Sequence, residues 1–222
     1  PYRGSEGRDY MHSSRTRQKV LVRALAPRRH DKVWGLTILW LIARLRRHYI
    51  GTYYFEDTNS LHPVLELELH ELRKLYRGLF QPIDPKLLEK SYRMVCIPRC
   101  GACCERSAGA FAFDFEIRML GLDGSRLRHE NVKLLNGVEV VVYELPRNTR
   151  GACVFYDINE RRCRVHSVKP VICLISFCSF IAEKRGILFM KVGVERGKPV
   201  YRPWRGSLDG LAGMVRWMLG LR

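Results

Sequence analysis

Apolar residues recur at helical spacing in several parts of the chain. The run Val33–Ala43 predicts a buried helix; its eleven residues are too few to cross a bilayer, which needs about 20. Because arginines flank its tryptophans, an interfacial amphipathic helix is the alternative. Pro85 suits the first position of a helix that extends to about Val95. A helix over 65–79 is predicted by leucines at helical spacing, namely Leu65, Leu69, Leu72, Leu75 and Leu79.

Later segments predict strands and two more helices. The segment Val138–Glu144 is rich in β-branched residues and predicts a strand, as do residues 151–156 and 186–194. The last of these is expected to form a hairpin with residues 199–201. Helices are predicted at 114–122 and, with Ser207 as N-cap, at the end of the chain. The fold class is therefore α+β, with helices packed around a small antiparallel sheet.

Charge divides the chain into two parts. Residues 1–32 carry nine Lys or Arg against three Asp or Glu and predict a basic, partly disordered N-terminal arm. Residues 33–222 are expected to form a single α+β domain. The formal net charge of +17 makes nucleic acid or the ribosome a plausible partner, although charge also serves solubility or reflects a thermophilic source. Helix-turn-helix and RNA-recognition motifs are absent from the sequence.

Eight cysteines fall between positions 96 and 178, and four of them lie within nine residues. A helix that begins near Cys100 would place the sulfurs of Cys100, Cys103 and Cys104 on one side. Thiols in such a pattern are typical of a metal or iron-sulfur centre, here held by loops. The candidate ligands are Cys96, Cys100, Cys103, Cys104, Cys153, Cys163 and Cys173, with His166 and Cys178 as weaker candidates.

Three other interpretations of the cysteines stay open. Disulfides are expected in short secreted proteins, whereas the sequence shows no apolar secretory segment and we expect a cytoplasmic protein. Buried apolar packing suits Cys178, which stands between large hydrophobic residues. The spacing of Cys96, Cys100 and Cys103 equals that of the radical S-adenosylmethionine motif, but too few residues follow for the strands and helices of that family.

The cysteines also resemble those of a known family. The blocks Cys100-Gly-Ala-Cys103-Cys104, Cys153-Val-Phe155 and Cys163-Arg-Val-His166-Ser-Val-Lys169-Pro170-Val-Ile-Cys173 resemble the CxxCxxCC cysteine-cluster family. That family is a zinc- or iron-chelating domain, so the resemblance implies a metal or iron-sulfur centre. His166 stands where the family has Tyr, and Lys169 stands where it has Arg. The leading spacing, from Cys96 to Cys100, is one residue longer than in the family.

The sequence thus predicts a metal-binding protein. We expect an iron-sulfur cluster, [4Fe-4S] rather than zinc, for electron transfer to a redox partner protein or for structural stabilisation. The alternative is a basic RNA- or ribosome-binding module with structural zinc, and a radical S-adenosylmethionine-like enzyme is the lesser one. Phosphate-binding loops, serine nucleophile motifs and zinc-protease motifs are absent from the sequence, so enzymatic activity and catalytic residues are left open.

Overall fold

A computed structural model describes residues 18–25, 31–73, 75, 78–106, 110–175 and 179–221. The helices of these residues are short apart from the first and the last, which have 13 and 11 residues. They are α1 (Lys32–Arg44), α2 (Leu69–Leu72), α3 (Pro85–Lys90), α4 (Ala102–Arg106), α5 (Asp114–Met119), α6 (Val171–Ile175) and α7 (Leu208–Met218).

The strands in the described part of the chain form three antiparallel sheets. They are β1 (Lys19–Ala24), β2 (Tyr49–Phe55), β3 (Ser60–Glu68), β4 (Phe80–Pro82), β5 (Tyr92–Met94), β6 (Phe111–Phe113), β7 (His129–Lys133), β8 (Glu139–Glu144), β9 (Tyr156–Asp157), β10 (Arg162–Cys163), β11 (Ile181–Lys184), β12 (Ile187–Glu195) and β13 (Lys198–Pro203). The large sheet has the order β13-β12-β11-β5-β2-β3-β1-β4. A three-stranded sheet has the order β6-β8-β7, and β9 pairs with β10.

The α+β class is confirmed, but the main sheet is larger than predicted. In the part of the chain that the structure describes, it has eight strands rather than a few. The predicted helix over 65–79 is wrong, because Leu65 and Leu67 belong to β3 and are both fully buried. Alternation with period two is the pattern of a strand that buries one face. Among the described residues of that segment, only Leu69–Leu72 is helical.

The strand predicted over residues 151–156 is wrong, because these residues form turns with an isolated bridge at Cys153, and β9 begins only at Tyr156. Several other predicted elements are confirmed. The apolar run becomes α1, which Asp31 caps by accepting a hydrogen bond of 3.1 Å from the backbone N–H of Trp34. The hairpin of β12 and β13 and the helix capped by Ser207 are present. The helix expected from Pro85 to about Val95 ends earlier, at Lys90, and β5 follows it.

Helix α1 connects the two larger sheets. Its side chains, among them Ile42 with no exposed surface, pack in one core with Leu65 of the large sheet and with Val140 and Val142 of β8. Burial of such aliphatic side chains stabilises the fold by about 1.5–3 kcal/mol each. Among the described helices, none combines the length and apolar character needed to cross a bilayer.

The predicted basic arm contains one element of the large sheet. Strand β1 pairs with both β3 and β4, and its Val22 is fully buried. Arg23 is also buried and binds both carboxylate oxygens of Asp57 at 3.0 and 2.9 Å. Residues 1–17 and 26–30 lie outside the described residues, so the arm and the single domain stay a prediction there.

Candidate metal centre

The first cysteine block lies at a tight turn between β5 and α4. The turn uses the left-handed backbone conformation at the two positions that flank Cys100, because φ is 58° at Arg99 and 57° at Gly101. Helix α4 then begins at Ala102 and carries Cys103 and Cys104. Cys100 is buried against α7, whereas Cys96 and Cys103 are exposed. The prediction that a helix begins near Cys100 is thereby confirmed.

The second cysteine group packs directly on the first. The backbone N–H of Cys153 donates to the carbonyl oxygen of Cys104 at 3.0 Å. Strand β10 places Cys163 opposite Tyr156 of β9. The ring of Tyr156 in turn lies against Gly101 so closely that a Cβ atom there would be 2.5 Å from the ring and 2.8 Å from the carbonyl oxygen of Arg161. Glycine is therefore required at this contact between the two groups.

Two long-range hydrogen bonds fix the third group, Cys173 on α6. The buried carboxylate of Glu116 accepts from the backbone N–H of Val171, at 2.6 Å. Arg46 donates to the carbonyl oxygen of Lys169, also at 2.6 Å. These bonds hold both ends of the segment that leads into α6, and so set the position of Cys173 relative to α5 and the large sheet.

The three groups converge. A cavity of about 320 Å³ is lined by five of the cysteines together with apolar side chains such as Phe111, Leu145 and Ile172. The five are Cys103, Cys104, Cys153, Cys163 and Cys173. An adjoining cavity of about 20 Å³ is lined by Cys96, Cys100, Cys103 and Cys173. Cys103 and Cys173 border both cavities, so all seven described candidates lie around one connected region.

Three of the thiols are hydrogen-bonded to one another. The sulfurs of Cys103 and Cys104 are 3.9 Å apart, and Cys104 also bonds to Cys163. Hydrogen bonds from Cys104 lower the pKa of both Cys103 and Cys163, while these same contacts raise the pKa of Cys104. The two outer sulfurs can therefore ionise while the middle one keeps its proton. Thiolates are the form of cysteine that binds metals.

Loss of hydration has the largest effect on the remaining thiols. It raises the pKa of Cys96, Cys100, Cys153 and Cys173, because protein atoms around each sulfur displace water and disfavour the charged form, even at Cys96, part of which is exposed. All seven described cysteines are free thiols, so the described residues give no support to the disulfide interpretation. Within the same residues, no three His, Cys, Asp or Glu side chains already stand where they could hold a metal ion.

The two weaker candidates have different outcomes. His166 is exposed in a short 3₁₀ turn and lines the cleft beside Cys163, but it does not line the cavity that holds the five thiols. Burial and the ammonium group of Lys169 lower its pKa. Cys178 lies outside the described residues, so its role as ligand or core residue stays a prediction.

A buried polar network supports the first cysteine block from the C-terminal helix. Arg216 of α7 donates from Nη1 to the carbonyl oxygen of Cys100 at 3.1 Å and to Oε2 of Glu105 at 2.8 Å. The hydroxyl of Tyr156 donates to the same carboxylate oxygen at 3.2 Å. The cysteine pattern does not indicate these residues. The available signal was that Arg216 follows Ala212 by four residues and so shares its buried helix face.

Comparison with known proteins gives one match. No curated protein and no solved structure matches the chain. A family model matches residues 95–187. This segment begins just before Cys96 and ends in β12, so it contains every described cysteine, whereas Arg216 lies beyond it. The model is that of the CxxCxxCC family, described as "Putative zinc- or iron-chelating domain", which confirms the resemblance seen in the sequence and supports metal binding by this segment.

Proposed function

We propose that this protein binds an iron-sulfur cluster in the cavity lined by five thiols, and that the cluster transfers electrons and stabilises the surrounding loops. The observation that carries the proposal is the convergence of Cys103, Cys104, Cys153, Cys163 and Cys173 on one space of about 320 Å³. Four cysteines are the usual ligand set of such a cluster, and five are within reach here.

The chemistry of the cavity supports a cluster. Its donor groups are thiols alone, without a carboxylate among the lining residues, and its other walls are mostly apolar. Thiolate ligands suit iron-sulfur centres, and apolar surroundings protect them from solvent. The ammonium group of Lys169 also borders this cavity and would offset part of the negative charge of the thiolates. Binding requires the thiol side chains to rotate inward from the positions described above.

Access to the site supports electron transfer. Cys103 is exposed, and it also lines the open cleft that leads to the surface. A cluster held there would be close to the surface, where a redox partner protein could approach. We infer a reducing cytoplasmic location for such a protein, because all the described cysteines are free.

Structural zinc is the second candidate, and the smaller cavity favours it. Four thiols line a space of about 20 Å³, which is the size of a single ion. Zinc takes four tetrahedral ligands and accepts cysteine at every position. In that case the metal would cross-link the loops of a basic protein whose partner is RNA or the ribosome. The ligands would then be Cys96, Cys100, Cys103 and Cys173.

The two candidates call for different cysteines, so one experiment separates them. The protein is purified without oxygen, and its iron, acid-labile sulfide and zinc contents are measured with an optical spectrum. The double variant Cys153→Ser/Cys163→Ser leaves only three of the five thiols, so it should abolish iron and sulfide binding and the absorbance near 400 nm, while Cys96→Ser should keep most of both. Stoichiometric zinc, lost in Cys96→Ser but kept in the double variant, would replace the cluster with the second candidate.

Cys178→Ala tests the weaker of the two interpretations of that residue. Cys178 lies in an apolar segment; as a core residue it should lose about 1 kcal/mol of stability on substitution and keep the metal, whereas loss of metal would identify it as a ligand. Loss of ligands should cost several kcal/mol, since metal binding is coupled to folding in such sites. Equal metal content and equal melting temperature for Cys153→Ser/Cys163→Ser and the parent protein would contradict the proposed centre.

A further inference from the structure

A basic cleft lies beside the thiols, and the metal centre does not account for it. Its volume is about 740 Å³, and its lining includes several cations: Arg99, Arg161, Arg162, Arg164 and Lys169. Glu160 is the carboxylate among its lining residues. The four arginines are exposed, and Cys96, Cys103, Cys104 and Cys163 line the same cleft. We name this space the basic cleft.

Lys169 is the least exposed cation of the cleft. Its exposed fraction is only 9%, yet its ammonium nitrogen is not among the buried, unbonded polar atoms of the described residues. It borders the basic cleft and both thiol cavities. Lys169 therefore places a positive charge where the cleft meets the thiol cavities, and this charge can act both on the thiolates and on an anion in the cleft.

The arginines of the cleft are suited to hold the same anion. Arg164 donates from Nη2 to the carbonyl oxygen of Val154 at 3.2 Å, which fixes its guanidinium group while other N–H groups stay available. Arg99 approaches Asp209 only to 3.9 Å and is 70% exposed. Arg99 and Arg161 both line the cleft and both have positive φ, so the turns that carry them keep an unfavourable backbone conformation there.

We propose that the basic cleft binds the phosphate groups of a polyphosphate-bearing ligand through Lys169 and the four arginines that line it. Five cations around one concave space exceed what a single carboxylate would neutralise. Arginine matches phosphate oxygens with paired hydrogen bonds, and lysine binds them as a point charge. The phosphates come either from a free nucleotide or pyrophosphate, or from a strand of RNA. The proposal holds for either metal at the thiol centre.

Titration calorimetry on the metal-loaded protein tests the proposal, with pyrophosphate, a nucleoside triphosphate and a short single-stranded RNA as probes. The double variant Arg99→Gln/Arg161→Gln removes two cleft arginines. The matched control is Arg185→Gln/Arg196→Gln, since these arginines are also exposed, also have positive φ, and lie in hairpin turns away from the cleft. Both double variants lose the same charge, so a general electrostatic effect acts on both alike.

We expect the cleft variant to weaken phosphate binding by at least about tenfold and the control by less than about twofold at equal salt. Lys169→Gln should weaken it to a similar degree. Sensitivity of pyrophosphate or the triphosphate to the cleft variant identifies a free ligand, and sensitivity of RNA alone identifies a strand. Equal weakening by the cleft and control variants, or absence of binding for all three probes, overturns the proposal. Metal content is measured on the same samples, so loss of the thiol centre is recorded separately from loss of phosphate binding.

Discussion

Gly101 occupies a position in the structure that has no room for a side chain. Replacement by alanine would add a Cβ atom 2.5 Å from a ring carbon of Tyr156 and 2.8 Å from the carbonyl oxygen of Arg161. The second contact is with backbone, which cannot move without displacing the turn between β9 and β10. That turn holds Cys163 opposite the first cysteine block.

The expected cost of Gly101→Ala has two parts. The left-handed backbone, with φ of 57°, costs an alanine about 1–2 kcal/mol relative to glycine. Alanine also reduces the conformational freedom of the unfolded chain, which offsets about 0.4–1 kcal/mol of this loss of stability. Overpacking against Tyr156 and Arg161 adds about 1–3 kcal/mol. The sum is a loss of about 1–5 kcal/mol in the free energy of unfolding, with a central value of about 3 kcal/mol, together with separation of the two cysteine groups.

Gly137→Ala isolates the first part. Gly137 has φ of 81° in the turn between β7 and β8, and no atom lies within 4 Å of the added Cβ. This variant should lose about 1 kcal/mol and keep its full metal content. Denaturant unfolding and metal analysis of both variants give the comparison. If Gly101→Ala is no less stable than Gly137→Ala and binds as much metal, the contact between Gly101 and Tyr156 does not hold the centre together.

Two further predictions test the supports around the site and sheet. Arg216→Met removes the donor to the carbonyl oxygen of Cys100 and leaves the hydroxyl of Tyr156 as the remaining partner described for the Glu105 carboxylate. We expect the free energy of unfolding, measured with denaturant, to fall by about 3 kcal/mol and the metal content to decrease. Unchanged values would contradict the role of this network. His62 is buried, and its Nδ1 donates to the carbonyl oxygen of Ala24 at 2.7 Å; burial lowers its pKa below 6.5. As the pH falls below 6.5, His62 takes up a proton in the unfolded chain before it does so in the folded protein. The free energy of unfolding that His62 contributes is therefore complete above pH 6.5, and it decreases as the pH falls from 6.5 to the lowered pKa of the folded state. His62→Gln should flatten this part of the pH profile of unfolding, whereas the exposed His129→Gln should not, and the same slope in both variants would show that another group is responsible.

The sequence predicted the thiols better than the sheet. Cysteine spacing is a local property, and the family resemblance rested on it. The leucine spacing predicts a helix where β3 lies, because the pattern is ambiguous: Leu65 and Leu69 have helical spacing, while Leu65 and Leu67 have the spacing of a strand. Full burial of Leu67 decides for the strand, and burial depends on partners distant in sequence. His62 is buried for the same reason, because β1 and β3 pair beside it.

The supports of the centre could not be read from the motif. Glu116 and Arg46 lie far along the chain from the residues they bind, and Arg216 is outside the family match altogether. Each acts through a hydrogen bond to backbone, and the backbone carries no residue-specific signal. A pattern search therefore finds the ligands and misses the groups that orient them.

The shortness of the elements around the thiols explains why these supports are needed. Helices α4 and α6 have five residues each, and β9 and β10 have two. Isolated helices below about 12 residues are marginal in water, and an isolated two-stranded hairpin is no better. Local structure thus cannot hold the sulfurs in place. Tertiary hydrogen bonds and the glycine contact do so in part, and a metal bound by all three groups would cross-link them. Metal affinity and the stability of this region should therefore change together in every variant that disturbs one of the supports.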